Sequence, residues 1–260
     1  MAIPRLLEQL MRQPVVVFDV YRTLLDIRSI ETQPATYAFL ANFLSYQGIS
    51  VRPAQLRAQY VAACAAAMAQ NTQPYPEIEI TAVFASVLRT IAAGRLSAAA
   101  IATLAPTLGL LFRLRTTKTL RICSAVRQNL DALQGVARLG IVSNTQRLFT
   151  LAELRKFDLE KYFEQIVFSS DVQVGKPNPR IFQAVAERLG VPVYEIIYVG
   201  DNLFDDIWGA QQLNMRTVWI DRGVEQTFPA GIPRPTPTVR LHTATYQKLP
   251  QVIQALSVSV

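Results

Sequence analysis

Val15-Val16-Val17-Phe18-Asp19-Val20-Tyr21-Arg22-Thr23-Leu24 is the stretch whose reading decides the fold. A short apolar, β-branched run reads as a strand buried on both faces, over 15–20. It delivers Asp19 at its C-terminal end with Tyr21 and Thr23 close behind. Open parallel α/β sheets keep their active sites at that end of their strands.

Outward from this strand, the character of the chain changes twice. Residues 30 to 118 are rich in Ala, Leu and Gln at helical spacing. Helices are predicted over 35–46, 53–70 (Pro53 at the first position), 79–93 and 97–111 (Ser97 as N-cap), with Gly48, Pro74, Pro76 and Gly94 as breaks. After Lys118 strands and helices alternate: helix 124–134, strand 138–143 ending at Ser143-Asn144, helix 146–157, strand 165–169. A helix then opens at Asn178-Pro179 and closes at Gly190, and strand 195–199 leads into Gly200-Asp201-Asn202. Helix 205–213, strand 216–220, a Pro-rich tail with a short strand at 238–241 and a helix at 245–256 complete the prediction, with a short helix at 5–12 before Pro14. The alternation predicts an α/β fold, a Rossmann-like, mostly parallel sheet with helices on both faces and right-handed crossovers. Its core is expected over 1–29 and 119–260, with a helical cap over 30–118 inserted after the first strand.

Composition narrows the function. The 260 residues carry a formal net charge of +7, but Lys and Arg are scattered and form no basic run, so a small anionic substrate is expected and a nucleic-acid partner is not. Cys64 and Cys123 stand far apart without metal-ligand spacing, which points to neither zinc nor a disulfide framework. The Ala-rich stretches at 61–69 and 92–105 are interrupted by polar residues or Gly, and the first ten residues have a charge and a proline in their apolar part. A membrane span and a secretory signal are therefore not expected, and the cytoplasm is the expected location. Oligomeric state has no signature here.

Singly, each polar strand end is an ordinary turn or cap. Together, and in order, Asp19 with Thr23, then Ser143, then Lys176 before a helix, then Gly200-Asp201 with Asp205 and Asp206, resemble the four motifs of the haloacid dehalogenase superfamily of hydrolases. The resemblance spans 15 to 222, and Ile-Val-Ser-Asn-Thr-Gln, Gly-Lys-Pro-Asn-Pro-Arg-Ile-Phe and Tyr-Val-Gly-Asp-Asn look like its phosphatase members. It implies that Asp19 is a nucleophile forming a covalent aspartyl intermediate and that Lys176 orients Asp19 and the substrate. It further implies that Thr23 and Ser143 donate to substrate oxygens, with Asn144 assisting in substrate binding. Mg²⁺ would be held by Asp19, the backbone carbonyl of Tyr21 and Asp201, with Asp206 favoured over Asp205 by its spacing before Ile207-Trp208-Gly209-Ala210.

Tyr21 breaks the phosphatase pattern, because it takes the acid–base position where those members carry a second Asp. Phe-Asp-Val-Tyr-x-Thr-Leu looks instead like the L-2-haloacid dehalogenases, which need neither metal nor acid and use a cap arginine, here Arg57. Against that, Asp201 and Phe182 stand where dehalogenases have a non-acidic residue and a Tyr, and Arg22 departs from both subgroups. Three carboxylates without a cation would repel one another. The expected function is Mg²⁺-dependent hydrolysis of a small phosphorylated metabolite; the alternatives are a metal-independent dehalogenase and a catalytically weak binding protein. Tyr75, Glu77 and Arg89 are further candidates for lining the cleft, and His242 receives no catalytic role.

Overall fold

The structure, a computed structural model, describes residues 13–257; the helix expected at 5–12 lies outside the described residues. The strands are β1 (Val15–Phe18), β2 (Leu25–Ser29), β3 (Thr117–Ile122), β4 (Arg138–Ser143), β5 (Gln165–Phe168), β6 (Ile196–Gly200), β7 (Arg216–Asp221) and β8 (Val239–His242). The longer helices are α1 (Pro34–Tyr46), α2 (Pro53–Gln70), α3 (Ile80–Ala92), α4 (Ala98–Thr116), α5 (Val126–Leu133), α6 (Arg147–Lys156), α7 (Pro179–Leu189) and α8 (Leu249–Ser257).

Six strands form one sheet in the order β5-β4-β1-β6-β7-β8, with every neighbouring pair parallel. β1 lies in the middle, and alternate side chains serve opposite layers. Val16 and Phe18 pack with Leu139, Ile141, Ile197 and Val199. Val15 and Val17 pack with Ile181, Phe182 and Val185 of α7 on the other face. That is why the run is continuously apolar rather than alternating. The local signals hold at α7: Asn178 accepts a hydrogen bond from the Arg180 N–H at 3.0 Å, Pro179 opens the helix, and Gly190 closes it with φ +67°.

The four helices α1 to α4 share an apolar cluster built on Tyr37, Leu40, Leu56, Phe84, Leu88, Leu108 and Phe112, which Phe149 of α6 joins from the sheet layer. The Tyr60 ring lies 5.4 Å from Phe84 and 5.0 Å from Phe112. α4 continues to Thr116 instead of ending near 111, because Phe112 extends its buried stripe one turn further. By length and composition α4 could cross a membrane, and its buried residues Ile101, Leu108 and Phe112 belong to this cluster.

Two features were not expected. β2 and β3 pair antiparallel, Leu25 with Ile122 and Asp26 with Arg121, so the helical insert leaves and returns through a two-stranded stalk. In place of the helix at 205–213, Leu203–Trp208 form a π-helical turn that runs into a short α-turn at Gly209–Gln211. The Asn202 side chain caps the π-turn by accepting from the N–H groups of Phe204 and Asp205.

The insert meets the sheet layer at two seams. In one, Pro76 pairs with Val174, the Gly175 N–H donates to the Tyr75 carbonyl at 2.8 Å, and Asn71 donates to the Gln173 carbonyl at 2.6 Å. In the other, Arg113 from the last turn of α4 donates to Glu153 of α6 at 2.7 Å and to the Tyr21 hydroxyl at 2.7 Å. Tyr21 in turn donates to Glu153 at 2.5 Å. The Arg113 and Glu153 side chains are only 14% and 9% exposed, so removing the carboxylate charge strands a buried guanidinium. Glu153→Gln should lower unfolding stability by about 3 kcal/mol in urea titrations. Breaking the exposed Arg155–Glu160 pair should leave the midpoint unchanged.

Candidate active site

Three adjacent strand ends converge. Asp19 follows β1 directly, and its N–H donates to the Val199 carbonyl of β6 at 2.9 Å, continuing the sheet past the last strand residue. Ser143 ends β4 and donates from Oγ to Asp19 Oδ1 at 2.8 Å. β6 ends at Gly200, followed by Asp201 and the π-turn that carries Asp206.

Lys176 ties these ends together from the loop before α7. Its Nζ lies 2.6 Å from Asp19 Oδ1 and 2.5 Å from Asp206 Oδ1, and donates to the Tyr198 hydroxyl at 3.1 Å. The Lys176 side chain is 3% exposed. Burial alone would lower its pKa, but the charges of Asp19 and Asp206 outweigh this and hold the ammonium well above its ordinary value. Asp206 Oδ2 accepts from the Asn202 N–H at 2.9 Å. Gly200 is required beside it: a Cβ there would stand 2.4 Å from Asp206 Cγ.

The carboxylates crowd one another. Oxygens of Asp19, Asp201 and Asp206 lie within 4.8 Å of one another, all on buried residues. Burial raises the Asp19 pKa, with Lys176 opposing and Asp206 adding to the rise. Asp201 is pushed up to about 8 by burial and then by Asp206 and Asp19. Asp205 is pushed up to about 6, again by burial first and Asp206 second. Three crowded carboxylates, offering oxygen ligands only, fit a hard divalent cation such as Mg²⁺. Asp201 already has one cationic neighbour: Arg22 Nε stands 3.0 Å from its Oδ2, and the Arg22 side chain is 46% exposed.

The site thus brings together Asp19, Ser143, Lys176, Asp201 and Asp206. Thr23 lies buried in the turn after Asp19, its Oγ1 without a hydrogen-bond partner among the described residues. Other expected residues are placed differently. The Tyr21 hydroxyl is engaged by Glu153, Thr150 and Arg113, and burial raises its pKa, so the phenol serves the seam and not the acid–base position. Asn144 has both ends of its amide on the Lys176 backbone, accepting from N–H at 2.6 Å and donating to C=O at 3.0 Å. Arg57 is exposed on α2. Glu77 accepts from Ser169 and Gln146 in the first seam.

Three participants escaped sequence reasoning. Tyr198 donates to the Val142 carbonyl at 2.9 Å and touches Lys176; a lone polar group inside Ile-Ile-Tyr-Val was the available signal. Asn202 offered a local signal, an N-cap residue type just before the turn it caps, whereas Arg113 carried none, because its partners are set by the insert.

The profile of the haloacid dehalogenase-like hydrolases matches residues 16–220, and the chain belongs to that family. It is 40% identical over 89 residues to a glyceraldehyde 3-phosphate phosphatase of Methanopyrus kandleri, covering 34% of this chain and 38% of that one. It is 34% identical over 111 residues to the pyrimidine 5'-nucleotidase YjjG of Escherichia coli, covering 42% and 48%. The matches thus span less than half the length of these relatives. Among solved structures, the 2-haloacid dehalogenase of Pseudomonas syringae pv. Tomato superposes with TM-score 0.65 at 23% identity over 94% of this chain and 99% of that one. A phosphatase of the same family from Thermococcus onnurineus gives 0.55 at 23% over 92% and 97%. At such identities these two share the fold.

Because Asp206 fills the space beside Gly200, Gly200→Ala must push Asp206 off Lys176. A loss of about 1–3 kcal/mol is expected in thermal or urea unfolding, the range for overpacking a tight site.

Proposed function

We propose that this chain is a Mg²⁺-dependent phosphatase of small phosphorylated metabolites that works through Asp19. The observation that carries the reading is a buried carboxylate pinned by Lys176 and Ser143 within ion-holding distance of Asp201 and Asp206. We take 30–118 as a cap over a hydrolase core of 1–29 and 119–260, and the cytoplasm as its location. Asp19, Asp201 and Asp206 would hold the ion, with the backbone carbonyl of Tyr21 as a further oxygen. When bound, Mg²⁺ supplies the positive charge that lets the carboxylates ionise together and offsets the charge of the phosphate.

Asp19 attacks phosphorus: a carboxylate oxygen forms the new bond, the ester P–O bond breaks, and a phosphoaspartate results. Water then attacks that phosphorus, inorganic phosphate leaves, and Asp19 is regenerated. Lys176 favours the anionic form of Asp19 and holds it in place, while Thr23 Oγ1, without a hydrogen-bond partner among the described residues, is available to a phosphate oxygen. The departing oxygen is the weak point. The side chain at the usual acid position, the phenol of Tyr21, is already engaged by Glu153, which favours leaving groups that depart without a proton. The same feature is what favours a dehalogenase as the second reading, since halide needs no proton; the carboxylate cluster weighs against it.

Purified protein should release phosphate with Mg²⁺ and not with EDTA, and kcat/KM should be about 10²-fold higher for acetyl phosphate than for glycerol phosphate. Asp19→Asn should abolish both activities. Halide release from 2-chloropropionate without Mg²⁺, and no phosphate release with it, would overturn the reading.

Arg22 bears on the ion directly, because its guanidinium competes for Asp201. Arg22→Ala should tighten Mg²⁺ binding severalfold by calorimetry; exposure of the side chain to solvent keeps the gain modest. Unchanged or weaker binding would mean that Arg22 holds Asp201 in place for the ion.

A further inference from the structure

We propose that a second pocket of this chain binds a phosphate group. The pocket, about 440 Å³, shares Arg22 and Thr23 with the catalytic end of the sheet but is lined by neither Asp19 nor Lys176. It lies between the β2–β3 stalk, the end of β7 and the turn that follows β8, and three arginines face it: Arg22, Arg121 and Arg222.

The donors there exceed the acceptors. Asp26 is the acidic lining residue, and it is shared by Arg121 at 2.6 Å and Arg222 at 3.3 Å. Arg222 Nη1 donates to the Arg22 carbonyl at 2.7 Å, which fixes one guanidinium against the backbone of the other arginine. Arg22 Nε lies 3.0 Å from Asp201 Oδ2, and the Arg22 charge also acts on Asp26. Arg121 is 75% exposed and keeps an outer edge open to the pocket mouth.

One lining residue adds an independent sign. Tyr246 is buried, and its hydroxyl lacks a hydrogen-bond partner among the described residues. A buried hydroxyl without a partner is uncommon and unfavourable, and a ligand oxygen would satisfy it. Three planar guanidiniums and a hydroxyl offer more donors than the two oxygens of a carboxylate accept, whereas a phosphate offers three or four oxygens to several guanidiniums at once. The volume leaves room for a small organic group, so the phosphate could be free or carried on an ester.

This site does not depend on the reaction proposed above: a chain without phosphatase activity would still bind phosphate here. Equilibrium dialysis with labelled inorganic phosphate in EDTA tests it, using wild type, Asp19→Asn, Arg121→Ala and Tyr246→Phe. Saturable binding is expected to survive Asp19→Asn, to weaken about tenfold in Arg121→Ala, whose exposed side chain is dispensable for folding, and to weaken a few-fold in Tyr246→Phe. Absence of saturable binding in Asp19→Asn, or binding indifferent to Arg121→Ala, would overturn the proposal. Glycerol phosphate that displaces the label from Asp19→Asn at lower concentration than unlabelled phosphate identifies an ester as the ligand; the reverse order identifies free phosphate.

Discussion

A single buried ammonium is what the catalytic end of this molecule depends on. Taking Lys176 out of water is costly unless its charge is matched, and Asp19 and Asp206 match it at 2.6 and 2.5 Å. Those partners come from different strand ends, so the ion pair also fixes how β1 and β6 present their loops. The surroundings follow from the same need. Asn144 grips the Lys176 backbone, the Tyr198 hydroxyl accepts a hydrogen bond from the ammonium, and Gly200 leaves the space that Asp206 fills.

Much of this was legible because the signals are local. Apolar runs ending in Asp19, Ser143 and Gly200-Asp201 mark parallel strands and their catalytic ends together, and Asn178-Pro179 with Gly190 bounds α7 from its own residues. The misses have a common cause, partners far away in sequence. β2 and β3 are half-exposed strands whose pairing joins residues roughly ninety apart, and no local pattern announces that. The direction of the Tyr21 phenol is decided by Thr150 and Glu153, more than 120 residues on. The grip of Asn144 on the Lys176 backbone joins residues 32 apart and has no local signature.

Arg113 answers part of what Arg57 was expected to do. An arginine from the insert does reach the nucleophile loop, but it arrives from the end of α4 and meets the side chain of Tyr21 rather than the space above Asp19. Its pair with Glu153 makes position 21 structural. An Asp placed there would be shorter than the phenol and would bring a negative charge toward Glu153, costing the seam a hydrogen bond and adding repulsion.

The seam and the chemistry therefore constrain one another. With position 21 committed to holding the insert against the sheet, the site keeps a buried carboxylate paired with a buried cation and a cluster of carboxylates, while the phenol at position 21 is engaged elsewhere. Lys176 and Arg22 together supply two positive charges to three carboxylates. A divalent cation, in the function we propose, would turn that balance positive and suit an anionic substrate. In that proposed reaction Lys176 and Ser143 support attack by Asp19 and the engaged phenol does not support departure of the leaving group, which would place selectivity on the leaving group's own acidity more than on contacts made by the insert.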